Sequence, residues 1–204
     1  MKNCSESVPD PAAEGRYSAV VIGTSAGGLA ALNRIITSLP DNYPLPLVVV
    51  QHMNANKAPK LAALIGKNSH LQVCEAEINS ALLPGQVLVA PPNYHLLIED
   101  CHMIALSTEP PYRFSRPSID VTLLSAVRVF GRRLIGVILT GANDDGVEGS
   151  IALKQEGGYL IVQDPDNAEY PLMPGATIEA VTPDAILSIG QIASRLIKLG
   201  GGSE

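Results

Sequence analysis

Uninterrupted apolar runs, each followed by a segment of helical period, constrain this chain most strongly. The first, Tyr17–Ile22, is rich in valine and isoleucine, stops at Gly23 and gives way to the helical pattern Gly28–Leu39. Leu45–Val50, Leu71–Ala76, Arg133–Leu139, Gly158–Val162 and, more weakly, Ala185–Ile189 repeat the strand signal. Helical segments are expected at Pro59–Lys67, Pro117–Phe130, Gly146–Gln155, Pro174–Val181 and Gly190–Leu199. Strands that are apolar throughout, rather than at every second residue, bury both faces, as in a parallel sheet covered by helices. The expectation is an α/β fold with a doubly wound, mostly parallel sheet. Gln86–Ala90, Tyr94–Ile98 and His102–Leu106 break the rhythm, with Glu99-Asp100 at a turn between the last two. They read as a small antiparallel excursion.

With 204 residues, 46% of them hydrophobic, the chain can bury one sizeable core. Residues 1–16 read as a polar, flexible tail and residues 17–204 as one domain, with no repeat or linker dividing it. A formal charge of −6, no basic run, no Trp and two Phe argue against nucleic acid as a partner. No apolar run reaches the length of a membrane span, and the N-terminus lacks the apolar segment of a signal peptide. Three cysteines, Cys4, Cys74 and Cys101, form no metal-type spacing, which suits a reducing cytoplasm. Cys101 reads as incidental at a hairpin tip.

The first strand–turn–helix carries Gly23-Thr-Ser-Ala-Gly27, a G-x-S-x-G pattern in the setting of a nucleophile elbow. The turn lifts the Ser25 hydroxyl off the sheet edge, and the helix start leaves N–H groups free for an oxyanion. A dinucleotide loop is the competing reading, but it needs glycine where Ser25 stands and an acidic residue where the second strand ends in Gln51-His52. A plain anion-binding turn is the other.

Sites in doubly wound sheets form beyond the carboxyl ends of strands. Ser25 follows the first strand, His52 the second, and Thr140-Gly-Ala-Asn-Asp-Asp-Gly146 a later one. Serine needs a base to take its proton, and the imidazole needs a carboxylate to fix its tautomer. His70 lies in a polar loop, His102 beyond a turn, and His95 at a strand tip, so His52 is the favoured base. Of Asp144 and Asp145, one is expected to face histidine and the other to cap the following helix. A metal site of two carboxylates and a histidine lacks a second acidic cluster to complete it, so no metal and no cofactor are expected.

Ile22-Gly-Thr-Ser-Ala-Gly-Gly28, Val50-Gln-His-Met53, Ala90-Pro-Pro-Asn-Tyr-His95, Ser115-Arg-Pro-Ser-Ile-Asp-Val121, Leu139-Thr-Gly-Ala-Asn-Asp-Asp-Gly146 and Met173-Pro174 occur in one order. Together they make the chain resemble the catalytic domain of the CheB chemotaxis methylesterases from about Tyr17 to Leu199. The resemblance implies a nucleophile at Ser25, a base at His52 and a carboxylate at Asp145. It also implies a further histidine near the site at His95 and an oxyanion contact from the Ala142 backbone. Ala26 stands where some members have a threonine that hydrogen-bonds near the histidine. Three departures bear on substrate affinity: Ala142 replaces a usual methionine, Asn143 a glycine, and Gly175 an arginine. The function implied is a serine hydrolase that removes methyl groups from glutamate methyl esters of chemoreceptors, with deamidation of receptor glutamines as a second activity. The partner implied is a methylated chemoreceptor or similar sensory protein, without direct membrane insertion. The alternatives are a non-catalytic scaffold module of a sensory pathway and a hydrolase of an unrelated small ester. Sixteen tail residues cannot form the receiver domain of well-known members, so a stand-alone catalytic domain, or a catalytic piece of a longer protein, is expected.

Overall fold

The computed structural model describes residues 16–52, 61–100 and 102–201. Cys4, Cys101 and most of the expected tail lie outside the described residues. Seven strands form one sheet: β1 (Ala19–Thr24), β2 (Leu47–Gln51), β3 (Gln72–Glu75), β4 (Gln86–Val89), β7 (Leu134–Ile138), β8 (Tyr159–Gln163) and β9 (Ala185–Leu187). Their order is β3-β4-β2-β1-β7-β8-β9, and every neighbouring pair is parallel. Two further strands, β5 (His95–Ile98) and β6 (Ile104–Ser107), pair antiparallel as a separate hairpin.

Strand periodicity sends successive side chains to opposite faces, and here both faces are dry. Val20, Ile22, Leu47, Val49, Val137 and Ile161 face one core, into which α1 (Gly28–Ile36), α2 (Leu61–Gly66) and α6 (Ile189–Leu199) pack. Val21, Val48, Val50, Leu88, Ile138 and Val162 face the other, covered by α3 (Ile119–Phe130), α4 (Val147–Gln155), α5 (Leu172–Ala180) and the β5–β6 hairpin. This is the doubly wound architecture that the continuous apolar runs imply.

One expectation is overturned. Gln86–Ala90 is not part of the antiparallel excursion: β4 lies inside the main sheet, between β3 and β2 and parallel to both. Its Val87, Leu88 and Val89 are buried, as a central strand's must be. No helix intervenes between β3 and β4, only the short segment 76–85, so the alternation of strand and helix that marks the other parallel strands is missing here.

The order of strands positions the site. β1 sits at the centre with β2 on one side and β7 on the other. The turns after these three strands therefore open side by side at the carboxyl edge, where ligands meet sheets of this kind.

Candidate active site

The turn after β1 is fixed before any chemistry is considered. Gly27 takes φ +77° and caps α1, while Gly28 packs so closely on Gln51 and Thr24 that a Cβ would overlap both side chains. Ser25 N–H donates to Thr140 O at 3.0 Å, and Ser25 O accepts from Gly28 N–H at 3.0 Å. Ser25 is half-buried, and its hydroxyl makes no hydrogen bond among the described residues. It lines a groove of about 540 Å³ that also takes in Leu29, Leu64 and Glu169.

His52 follows β2 directly, its N–H bound to Thr24 O at 3.1 Å. Gln51 ties the two stations together: its Nε2 donates to Ser25 O at 2.7 Å and to His52 O at 2.9 Å. The His52 side chain, 11% exposed, places Nε2 at 2.7 Å from Asp145 Oδ2. It also lines a second recess, of about 380 Å³, with Asn93, Phe114 and Arg116. The two recesses lie one at Ser25 and one at His52.

Asp145 is fully buried, and four donors converge on it. Oδ2 accepts from His52 Nε2 and from Ile119 N–H at 2.8 Å. Oδ1 accepts from Ser118 Oγ–H and from Asp120 N–H, both at 2.9 Å. Two of these are the first N–H groups of α3, which the helix cannot satisfy itself and whose dipole favours a negative charge. Burial pushes the Asp145 carboxyl up; the His52 hydrogen bond, the α3 amides and the His52 charge outweigh it and hold it below its ordinary value. Gly146, at φ +106°, lets the chain turn directly behind this carboxylate into α4.

The neighbouring aspartate corrects a second expectation. Asp144 does not cap α4, whose N-cap is Gly146 without a side-chain bond. It is exposed and pairs with Arg113 Nη1 at 2.6 Å, while Arg113 Nη2 reaches Glu148 at 2.7 Å. Arg113 and Phe114 form the tip of a turn closed by reciprocal Tyr112–Ser115 backbone bonds. Both have positive φ, +45° and +66°, and Phe114 is wholly exposed. Non-glycine residues rarely hold such angles; the Arg113 ion pairs and the Tyr112 hydroxyl bond to Glu148 tie the tip to the acidic loop and α4.

The other sequence-derived positions have different surroundings. Ala142 is exposed, and its N–H makes no hydrogen bond among the described residues; the same is true of Ala26 N–H. Ala26 O accepts from Thr140 Oγ1 at 2.9 Å, so its carbonyl is a fixed part of the turn. His95 is buried at the start of β5 and holds Pro110 O at 3.1 Å, making no hydrogen bond to Ser25, His52 or Asp145. Gly175 lies on α5 beside Ala142, in a groove lined by Tyr170 and Leu172.

Three residues organise this site in ways not expected from the sequence: Ser118 and Gln51 carry no expected role there, and Asn143 is expected only as a departure bearing on substrate affinity. Ser118 caps α3, taking Val121 N–H at 3.3 Å while donating to Asp145. Gln51 braces the serine turn against the histidine, and Asn143 Nδ2 lies 3.2 Å from His52 Nδ1. A Pro-Ser pair opening a helix was a visible signal for the first. Nothing local marks the other two.

The CheB methylesterase family model matches residues 20–196. This chain belongs to the CheB methylesterase family. It is 45% identical over 183 residues to a relative in Leptospira interrogans strain Fiocruz L1-130, covering 90% of this chain and 95% of that one. The protein-glutamate methylesterase/protein-glutamine glutaminase of Moorella thermoacetica is 38% identical over 188 residues, which is 90% of this chain but 44% of that protein. The crystal structure of the Thermotoga maritima CheB methylesterase catalytic domain superposes with a TM-score of 0.86 at 36% identity. The match covers 90% of this chain and 98% of that domain.

Proposed function

We propose that this CheB-family chain hydrolyses glutamate methyl esters on chemoreceptors, with Ser25 as nucleophile, His52 as base and Asp145 as the carboxylate that orients the base. The observation that carries this reading is the buried Asp145, held by four donors and bonded to His52 Nε2, one strand away from a serine on a tight strand–helix turn. Because Nε2 carries its proton toward Asp145, Nδ1 is the atom that takes the Ser25 proton. Ser25 Oγ bonds to the ester carbonyl carbon as that proton moves, and the oxyanion is met by the N–H groups of Ala26 and Ala142. Collapse expels methoxide, which leaves as methanol with the proton from His52 Nδ1. Water then attacks the acyl-enzyme, His52 takes its proton and returns it to Ser25 Oγ, and the receptor glutamate is released.

The same sequence applied to a receptor glutamine releases ammonia, and deamidation is the second activity proposed. No helix among the described residues is long and apolar enough to cross a membrane. The proposed setting is the cytoplasm, acting on the receptor's methylated segment.

The test is methanol release from methyl-labelled chemoreceptor, run beside turnover of p-nitrophenyl acetate. Methanol released in proportion to enzyme supports the reading. Turnover of the small ester without methanol would replace it with an unrelated esterase, and receptor binding without either activity would replace it with a scaffold role.

A further inference from the structure

We propose that Asn143 is a positioning residue that holds His52 in an off state, because its carboxamide occupies the ring nitrogen that must accept the Ser25 proton. The inference rests on the assignment of Ser25, His52 and Asp145 given above and deepens it.

The hydrogen-bond pattern fixes the direction of each donor. Asp145 is an ionised acceptor, so His52 Nε2 at 2.7 Å carries a proton and, in the neutral ring, Nδ1 carries a lone pair. Asn143 Nδ2 lies 3.2 Å from that lone pair and donates to it. The other end of the same amide, Oδ1, accepts from Asp145 N–H at 3.4 Å. Reversing the amide would set Oδ1 against the Nδ1 lone pair and the NH₂ group against an N–H, so only one orientation is consistent. Nδ1 has one lone pair: Asn143 donates to it, and on the triad assignment above the Ser25 hydroxyl must donate to the same lone pair in turnover. In this structure Asn143 holds it, and the Ser25 hydroxyl makes no hydrogen bond among the described residues.

Turnover therefore requires Asn143 to release Nδ1 and the Ser25 hydroxyl to take its place. The loop is built to permit this. Asn143 is half-buried between exposed Ala142 and Asp144, whereas His52 and Asp145 are locked by backbone and buried bonds. One neutral hydrogen bond is exchanged for another, so the brake is mild. Removing it should speed the serine by about twofold to tenfold, the factor to which one net hydrogen bond corresponds.

The test compares wild type with Asn143→Ala and with Asn143→Ser, whose hydroxyl is too short to reach Nδ1. Three readouts are taken: the second-order rate of Ser25 labelling by a fluorophosphonate, kcat and KM for methanol release, and the histidine ¹⁵N spectrum at neutral pH. Both variants should label faster and raise kcat with KM unchanged, and the His52 Nδ1 resonance should move toward that of an unbonded acceptor nitrogen while Nε2 stays put. A rate that is unchanged or lower, or an Nδ1 resonance that does not move, overturns the proposal. Ser25→Ala separates the two levels. If it still labels or turns over, the triad assignment itself has failed; if it is dead while Asn143→Ala is no faster than wild type, only the Asn143 inference falls.

Discussion

Asp145→Asn probes the part of the site on which everything else leans. The carboxylate now gives two oxygens to four donors: Ser118 Oγ and Asp120 N–H on Oδ1, His52 Nε2 and Ile119 N–H on Oδ2. Asparagine fills the same volume with one acceptor oxygen, and its NH₂ group must face donors on the other side. A buried donor left without an acceptor costs about 1–3 kcal/mol, and loss of the charge at the α3 N-terminus adds roughly 0.3–2 kcal/mol. The combined loss of about 1–5 kcal/mol should lower Tm by roughly 2–20 °C in a domain of this size. If the amide turns its NH₂ toward His52, the ring must adopt the wrong tautomer, and kcat should fall by about 10⁴. The control is Asp144→Asn, which breaks only an exposed pair with Arg113 and should cost about 0–1 kcal/mol. The native Asp145 titrates below its ordinary value, so its stabilisation is complete above about pH 4 and is lost as pH falls through the lower folded value. Thermal melts across pH 2–7 and methanol-release assays on both variants measure all of this. Asp145→Asn activity within tenfold of wild type, or greater damage from Asp144→Asn, would refute the reasoning.

Two further outcomes are expected. Gln51→Leu removes both bonds that brace Ser25 O and His52 O and should lower kcat by about 10–100-fold with a native circular dichroism spectrum, since misplacement of reacting groups by about 1 Å costs on that order; unchanged kcat would show that the brace is idle. Burial pushes the Asp120 carboxyl up to about 6, against the Gly149 N–H bond and with the Asp145 charge beside it. A raised folded value means that Asp120 makes stability fall as pH rises from about 4 to 6; Asp120→Asn should flatten that segment of a urea-midpoint profile, and an unaltered slope would contradict the assignment.

What the sequence revealed and what it hid follow from the range of each interaction. Continuous apolar strands such as Ala19–Thr24 and Leu134–Ile138 announced burial on both faces because every residue in them reports its own environment. The sequence groups β4 with the antiparallel excursion because its parallel partners are set by a helix-free connection that carries no periodic signal of its own. Placing Ser25, His52 and the acidic loop at strand ends was enough to anticipate that they lie at one edge, since strand order β2-β1-β7 makes them neighbours. The details were out of reach. Asn143 meets His52 across 91 residues, and Asp145 meets Ser118 across 27, contacts that no local pattern encodes. Asp144 reads as a cap because aspartate favours that position in general; here Arg113, 31 residues upstream, claims it instead.

The central claim is that Ser25 is the nucleophile in cleavage of a receptor glutamate methyl ester. Its most direct test is the rate of methanol release from methyl-labelled chemoreceptor by wild type and by folded Ser25→Ala at equal concentration. The account predicts steady release by wild type and a loss of about 10⁶-fold in the variant, the scale seen when a triad serine is removed. Release by Ser25→Ala at a rate comparable with wild type would contradict it.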